Sequence, residues 1–257
     1  MSQKDILIKF QKVLAMSQQD KFYFKIEANS FFERNFLKEK KNFINIKNIK
    51  LRKSKNEILN ILKKNISLKN KKVLEIGCFI SDLLNILKKK YNCNVSGVEP
   101  SSLACKFAKK EFGLNIENKT FLKSKYMFSK KKYKGKFDII ICDDVLSWFD
   151  RKIIMESIAS IDYLLKDNGH IFFRDFSPPQ NIAVKNHHHK SKNIFNYKLA
   201  GGHKNFFLMT GKYKTVFSKK FKTNKYQVKK STSKITNIWS HDLIKKTKKS
   251  QYIIKNL

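Results

Sequence analysis

Two positions in the first half of the chain have the residue types and spacing to hold a nucleoside. Gly77 ends one short apolar run, and Glu99 ends a second apolar run 22 residues later. A glycine turn lets the backbone approach a ligand closely, and a carboxylate at a strand end can accept hydrogen bonds from both ribose hydroxyls. The pair therefore predicts a nucleoside site at the carboxyl edge of a sheet.

The elements that must position these residues alternate between strand and helix. Apolar runs over residues 73–76 and 95–98 predict two strands. Leucines at helical spacing over 83–87 predict a helix behind the glycine turn, and Ser81 and Asp82 offer side-chain oxygens that could cap it. Strands joined by helices in this order predict a parallel sheet.

Two further strand ends carry acidic residues. The apolar, β-branched run 137–142 is typical of a central parallel strand, and Asp143 and Asp144 stand at its carboxyl end, where open α/β sheets bind ligands. Capping of the next helix is the alternative role for either residue. Residues 164–176 read as helix end, glycine turn and a fifth strand, which places Asp175 at the rim of the predicted site.

Three segments resemble the class I S-adenosylmethionine-dependent methyltransferases. The run Val-Leu-Glu-Ile-Gly-Cys matches the family's first motif, E-x-G-x-G-x-G, at Glu75 and Gly77, and it carries Phe79 and Ser81 where the later glycines stand. Residues 137–148 resemble the fourth strand, F-D-x-x-x-x-x-x-V-L, and 164–176 resemble L-K-x-G-G. The dinucleotide turn G-x-G-x-x-G is absent, which argues against a dinucleotide-binding Rossmann domain.

The resemblance implies a fold, a cofactor and a reaction. The fold is a doubly wound α/β domain with a mostly parallel, seven-stranded sheet and an N-terminal helical cap. The cofactor is S-adenosylmethionine, and the reaction is methyl transfer to an oxygen or nitrogen of a small-molecule or sugar-like acceptor. The residues that the resemblance assigns to cofactor binding are Glu75, Gly77, Cys78, Phe79, Ser81, Glu99, Asp143 and Asp144.

The chain divides into three predicted segments. Residues 1–70 form the helical cap, residues 71–221 form the methyltransferase-like domain with an irregular insert at 177–205, and residues 222–257 form a basic tail. Within the domain we also predict a weak third strand near 115–121 and a closing hairpin from 206–209 and 216–221.

Candidate acceptor-side residues come from the cap and the insert. Arg34 and Asn35 follow two aromatic residues and are predicted substrate contacts, with helix capping or an ion pair as the alternative. Asp175 is a third substrate candidate. His187 and His188 are candidates for a catalytic base, because neutral imidazole can take a proton near pH 7. Three consecutive histidines without a carboxylate or cysteine at ligand spacing argue against a metal.

The amino-acid composition indicates which kinds of binding partner and which cellular location are expected. The net charge is +36, but of 56 basic residues only four are arginine, the residue that reads phosphates and bases in bidentate fashion. An RNA or DNA methyltransferase is therefore the alternative rather than the favoured function, and an inactive scaffold is the other alternative. Four cysteines without paired spacing, and the lack of a signal peptide or an apolar run long enough for a bilayer, predict a cytoplasmic protein with no membrane span. The oligomeric state is not predicted.

Overall fold

A computed structural model gives the architecture of the chain, and it describes residues 18–40, 43–46, 49–127, 131–186, 188–189, 194–222 and 238–249. In these ranges the strands are β1 (Phe43–Ile46), β2 (Ile49–Arg52), β3 (Lys72–Ile76), β4 (Asn94–Val98), β5 (Phe137–Asp143), β6 (Leu165–Phe176), β7 (Ile182–Lys185), β8 (Phe195–Lys198), β9 (Tyr213–Lys222) and β10 (Ile238–Lys246).

A six-stranded sheet with the order β4-β3-β5-β6-β10-β9 forms the centre of the fold. β4, β3, β5 and β6 are parallel neighbours. β10 pairs antiparallel with β6, and β9 pairs antiparallel with β10. Two separate antiparallel hairpins are formed by β1 with β2 and by β7 with β8. The predicted α/β class with a mostly parallel sheet is confirmed.

The described helices cover both faces of the sheet and build the cap. They are α1 (Gln18–Phe22), α2 (Ala28–Lys40), α3 (Lys53–Asn65), α4 (Asp82–Tyr91), α5 (Ser102–Phe112), α6 (Ile154–Leu164) and α7 (Asn205–Leu208), with a π-helical turn at Tyr23–Glu27 between α1 and α2. Buried apolar residues form one large cluster on each face of the sheet. None of the described helices combines the length and the apolar composition needed to cross a bilayer.

The sheet has six strands where seven were predicted. Near 115–121 only an isolated parallel bridge forms, between Val98 and Glu117. Ile116 is the one apolar residue between Asn115 and Thr120, so this segment has little apolar surface to bury on either face of a sheet.

The prediction of a basic tail from residue 222 onward is wrong for β10. This strand lies inside the sheet, and its Trp239, Leu243 and Ile244 are buried. The burial of these apolar side chains therefore stabilises β10 within the sheet, although the surrounding sequence is rich in lysine. The predicted hairpin is wrong as well, because residues 205–208 form α7, and the strand over 216–221 is part of β9 and pairs with β10.

The N-terminal segment is not entirely helical, because the β1–β2 hairpin interrupts it before α3. Its helical part docks through aromatic rings. Phe31 and Phe32 of α2 contact Phe79 at ring-centroid distances of 5.8 and 5.7 Å, and Phe36 contacts Phe107 of α5 at 4.8 Å. The cap therefore packs directly on the turn that follows β3.

Candidate functional site

A cavity of about 140 Å³ lies at the carboxyl ends of β3, β4 and β5, beneath the cap. Helical cap residues, the turn after β3, the end of β4 and the segment after β5 all contribute to its wall. The lining residues are Asp20, Tyr23, Ala28, Phe31, Arg52, Lys55, Ile76, Gly77, Phe79, Val98, Glu99, Pro100, Lys119, Thr120, Phe121, Asp143, Asp144, Val145, Trp148, Phe149 and Arg174.

The turn after β3 requires glycine at its first position. Gly77 has φ +69°, and a Cβ added there would lie 2.8 Å from Cγ2 of Val145. Left-handed backbone continues at Phe79 (φ 50°) and Ser81 (φ 61°). These two residues occupy the positions at which the first motif has its later glycines, so the backbone shape typical of glycine is kept without glycine.

Glu99 is the best-held carboxylate of the cavity. It is 6% exposed, and its oxygens accept hydrogen bonds from the backbone amides of Phe79, at 2.7 Å, and Ser101, at 2.8 Å. Burial raises its pKa to about 7 although both amides act in the opposite direction. The carboxylate thus ties the end of β4 to the turn after β3, and it keeps lone pairs for a ligand in the cavity.

Behind the turn, the predicted cofactor residue Glu75 lies in a buried ionic network. Lys55 Nζ lies 2.5 Å from Oε1 of Glu75 and 2.6 Å from Oδ2 of Asp143. Arg174 Nε and Nη2 donate to Asp143 at 2.5 and 3.0 Å. Burial acts to raise the pKa of Asp143, but Arg174 and Lys55 outweigh it and hold that pKa far below its usual range.

A second ionic contact corrects the prediction for the start of α4. Ser81 makes no cap hydrogen bond, and the carboxylate of Asp82 binds the backbone amide and guanidinium of Arg52 at 2.8–3.1 Å. The left-handed backbone of Ser81 turns its hydroxyl to the sulfur of Cys78, 3.2 Å away. Cys78 is fully buried, and its side chain packs in the core rather than in the cavity wall.

The carboxyl end of β5 brings Asp143 and Asp144 into the cavity wall, but their side chains differ in their ionic partners. Asp143 is neutralised by the two cations described above. Asp144 has left-handed backbone, φ 52°, and its Oδ1 makes no hydrogen bond with any residue that the structure describes. Burial raises the pKa of Asp144 well above its ordinary value, and the charges of Asp175 and Asp143 add to this effect.

The predicted substrate contacts lie outside the cavity wall. Arg34 donates to Glu27 Oε1 at 2.6 Å, which is the ion-pair alternative. Asn35 donates to the carbonyl of Phe31 one turn earlier in its own helix. Asp175 is buried, and its carboxylate accepts the amide of Phe176. Each side chain is therefore engaged within the protein rather than at the cavity.

Of the two predicted base candidates, His187 lies outside the described residues. His188 is exposed and does not line the cavity. The neighbouring His189 instead closes the insert onto the cap, with Nε2 at 2.5 Å from Glu27 Oε2 and its ring edge-on to Phe22. In the part of the chain that the structure describes, no group of histidine, cysteine and acidic residues could hold a metal ion.

Sequence reasoning missed several residues of the site, among them Tyr23, Arg52, Lys55 and Arg174. The two arginines carried a usable signal, since only four arginines occur in the chain. Lys55 carried none, because it is one of 52 lysines. Tyr23 lies in the π-helical turn of the cap, a local conformation often found at functional sites but not readable from the sequence.

A family model described as a methyltransferase domain matches residues 49–212. Among solved structures, a 1,6-didemethyltoxoflavin-N1-methyltransferase from Burkholderia thailandensis is 13% identical over 93% of this chain and 89% of its own, with a TM-score of 0.59. A SAM-dependent methyltransferase from Methanosarcina mazei is 14% identical over 73% of this chain and 97% of its own, with a TM-score of 0.55. An S-adenosylmethionine-dependent methyltransferase from Mesorhizobium loti is 10% identical, covering 73% of this chain and 96% of its own, with a TM-score of 0.52. No curated protein sequence matches.

Proposed function

Because the chain belongs to the class I S-adenosylmethionine-dependent methyltransferase family, whose methyl donor is S-adenosylmethionine, we propose that it methylates an oxygen or nitrogen of a small-molecule or sugar-like acceptor. The observation that carries the proposal is Glu99. Its carboxylate stands at the end of β4 in the cavity wall, fixed by two backbone amides and ready to accept hydrogen bonds from ribose hydroxyls.

The other walls of the cavity suit the remaining parts of the cofactor. Gly77 lets the chain pass close to the methionine portion, where any side chain would clash with Val145. After β4 in the chain, Thr120 and Phe121 also line the cavity. Thr120 Oγ1 is buried and has no hydrogen-bond partner among the described residues, and Phe121 offers an aromatic surface. An orphaned hydroxyl beside an apolar ring supports this corner as the adenine site.

When bound, S-adenosylmethionine supplies a methyl group activated by its sulfonium. The task of the protein is then to orient the acceptor and to exclude water. The cap contributes to both, because Tyr23 and Phe31 line the cavity from above and Gln19 bonds the carbonyls of Trp148 and Phe195 at 2.9 and 3.0 Å. The cap is thereby tied to the segment after β5 and to the insert.

A small acceptor is favoured by the shape of this site. The cavity is roofed by the cap, and three of its four cationic lining residues, Arg52, Lys55 and Arg174, are bound to carboxylates of the protein; Lys119 is the fourth. Phosphate recognition would need such cations free. The lysines that give the chain its high charge support only salt-sensitive, non-specific attraction to nucleic acid.

Cofactor binding and turnover test the proposal. S-adenosylhomocysteine should raise the Tm of the protein, and Glu99→Ala should weaken its binding at least about tenfold, since a charge-assisted hydrogen-bond acceptor is lost. Glu111→Ala, an exposed change on α5, serves as the matched control. Methyl-labelled S-adenosylmethionine with a low-molecular-weight cell extract should then give labelled small molecules. Failure of S-adenosylhomocysteine to bind, or labelling of added RNA alone, would contradict the proposal.

A further inference from the structure

One part of the cavity wall combines aromatic rings with a carboxylate that has no partner. Tyr23 from the cap and Trp148 and Phe149 from the segment after β5 contribute the rings, and Asp144 contributes the carboxylate. The rings of Tyr23 and Trp148 lie 5.9 Å apart at 44°. Aromatic faces beside a carboxylate attract organic cations, because the ring quadrupole and the anion act in the same sense.

Asp144 is held in place by its backbone. Its amide donates to the carbonyl of Arg174 at 2.7 Å, and its left-handed φ of 52° lies in a region that aspartate and asparagine tolerate better than most residues. Its carboxylate forms neither an ion pair nor a side-chain hydrogen bond with any residue that the structure describes. A half-buried carboxylate without a partner is costly, and the cost is relieved when the group takes up a proton or when a cationic ligand pairs with it.

Among the described residues no ion pair joins a basic side chain to Asp144, although the charges of Arg174 and Lys198 act to lower its pKa. Lys55 binds Glu75 and Asp143, and Arg174 donates both of its bonds to Asp143. Lys198, whose pKa burial lowers to about 8, lies near Asp144 but places its ammonium 3.6 Å from the ring centroid of Phe176. The lysines on the surface act at longer range and are screened by salt within about 8 Å.

We propose that the methyl acceptor is a small amine, bound by Asp144 and by the aromatic faces of Tyr23 and Trp148. The inference rests on the proposed methyl transfer and narrows it to nitrogen. An amine that enters as ammonium must lose a proton before its lone pair can accept a methyl group, and the Asp144 carboxylate can receive that proton. An acceptor bearing an anion beside the reacting atom is excluded by the same carboxylate.

The test uses an amine-like probe whose charge can be removed without changing its shape. Choline and its uncharged carbon isostere, in which carbon replaces the quaternary nitrogen, are titrated into protein saturated with S-adenosylhomocysteine. The Trp239→Phe variant leaves Trp148 as the only indole, so quenching of its fluorescence reports this wall of the cavity. We expect choline to bind at least about tenfold more tightly than the isostere.

Two variants identify the groups responsible. Asp144→Asn keeps the size and tolerates the left-handed backbone, and it should remove most of the preference for the cation; the affinity for S-adenosylhomocysteine is measured in the same variant. Glu156→Gln, at a partly exposed position of α6, should change neither. Equal affinity for choline and the isostere, or a preference that survives Asp144→Asn, would overturn the inference. Loss of S-adenosylhomocysteine binding by the unaltered protein would instead overturn the proposed methyl transfer.

Discussion

The raised pKa of Glu99 makes cofactor binding depend on pH in a direction that the structure fixes. Burial raises this pKa from 4.5 to about 7, so near pH 6 most molecules carry a protonated Glu99. Ribose hydroxyls donate to the ionised form, and binding must therefore release a proton at this pH. With a pKa of about 7, affinity for S-adenosylhomocysteine should be roughly tenfold higher at about pH 8 than at about pH 6.

The same group affects stability in the opposite direction. A carboxyl whose folded pKa is raised holds its proton better in the folded state, so the apo protein is stabilised at low pH relative to neutral pH. Between pH 4.5 and about 7 this contribution is lost, and the separation of the two pKa values corresponds to about 3 kcal/mol. Ligand-free protein should therefore lose stability from this group over the range in which the cofactor gains affinity.

Calorimetry in two buffers of different ionisation enthalpy measures the released proton directly. We expect close to one proton released per S-adenosylhomocysteine near pH 6 and almost none near pH 8. Glu99→Gln cannot titrate, and it controls for ionisation of the ligand itself. If affinity is flat across this range and the unaltered protein releases no more protons than Glu99→Gln, then Glu99 is either ionised throughout or not in contact with the ribose.

Two further substitutions, each paired with a control, test the contacts behind the cavity and above it. Lys55→Met leaves two buried carboxylates without their shared cation and should cost about 3–5 kcal/mol in urea denaturation. Lys166→Met, at a partly exposed pair, should cost about 0–1 kcal/mol, and similar losses for the two variants would show that the buried network is not special. His189→Ala removes a partner from the buried carboxylate of Glu27 and should cost about 1–3 kcal/mol, against no more than about 0.5 kcal/mol for Lys185→Ala at an exposed position of β7. An unchanged Tm for His189→Ala would mean that the insert does not anchor the cap.

The parallel half of the sheet could be predicted because its strands are short, continuous apolar runs with glycine or acidic residues at their ends. β10 could not, since it is bordered by long lysine-rich stretches and pairs with β6, which lies more than 60 residues earlier in the chain. Such a pairing depends on which edge of the parallel strands is open to a further strand. That information is tertiary, not local.

Within the site, the residues fixed by strand ends were predictable. Gly77, Glu99, Asp143 and Asp144 all line the cavity, because the carboxyl ends of parallel strands meet at one edge. The sequence could not show which of the two aspartates is bound by cationic side chains. Asp143 is paired because Arg174 reaches it from β6 and Lys55 reaches it from α3. The second contact is hidden in the sequence, because Lys55 is one of many lysines.

The turn after β3 has a consequence for how such chains are recognised. Phe79 and Ser81 adopt left-handed torsion angles that cost an L-residue roughly 1–2 kcal/mol each. The packing of the sheet and the cap therefore imposes this backbone conformation on residues that do not favour it. A side chain can then stand where the motif has glycine. Phe79 does so, and its ring joins the cap to the turn after β3. A search that scores glycine spacing would pass over these proteins, whereas one that scores backbone torsions would group them with their glycine-bearing relatives.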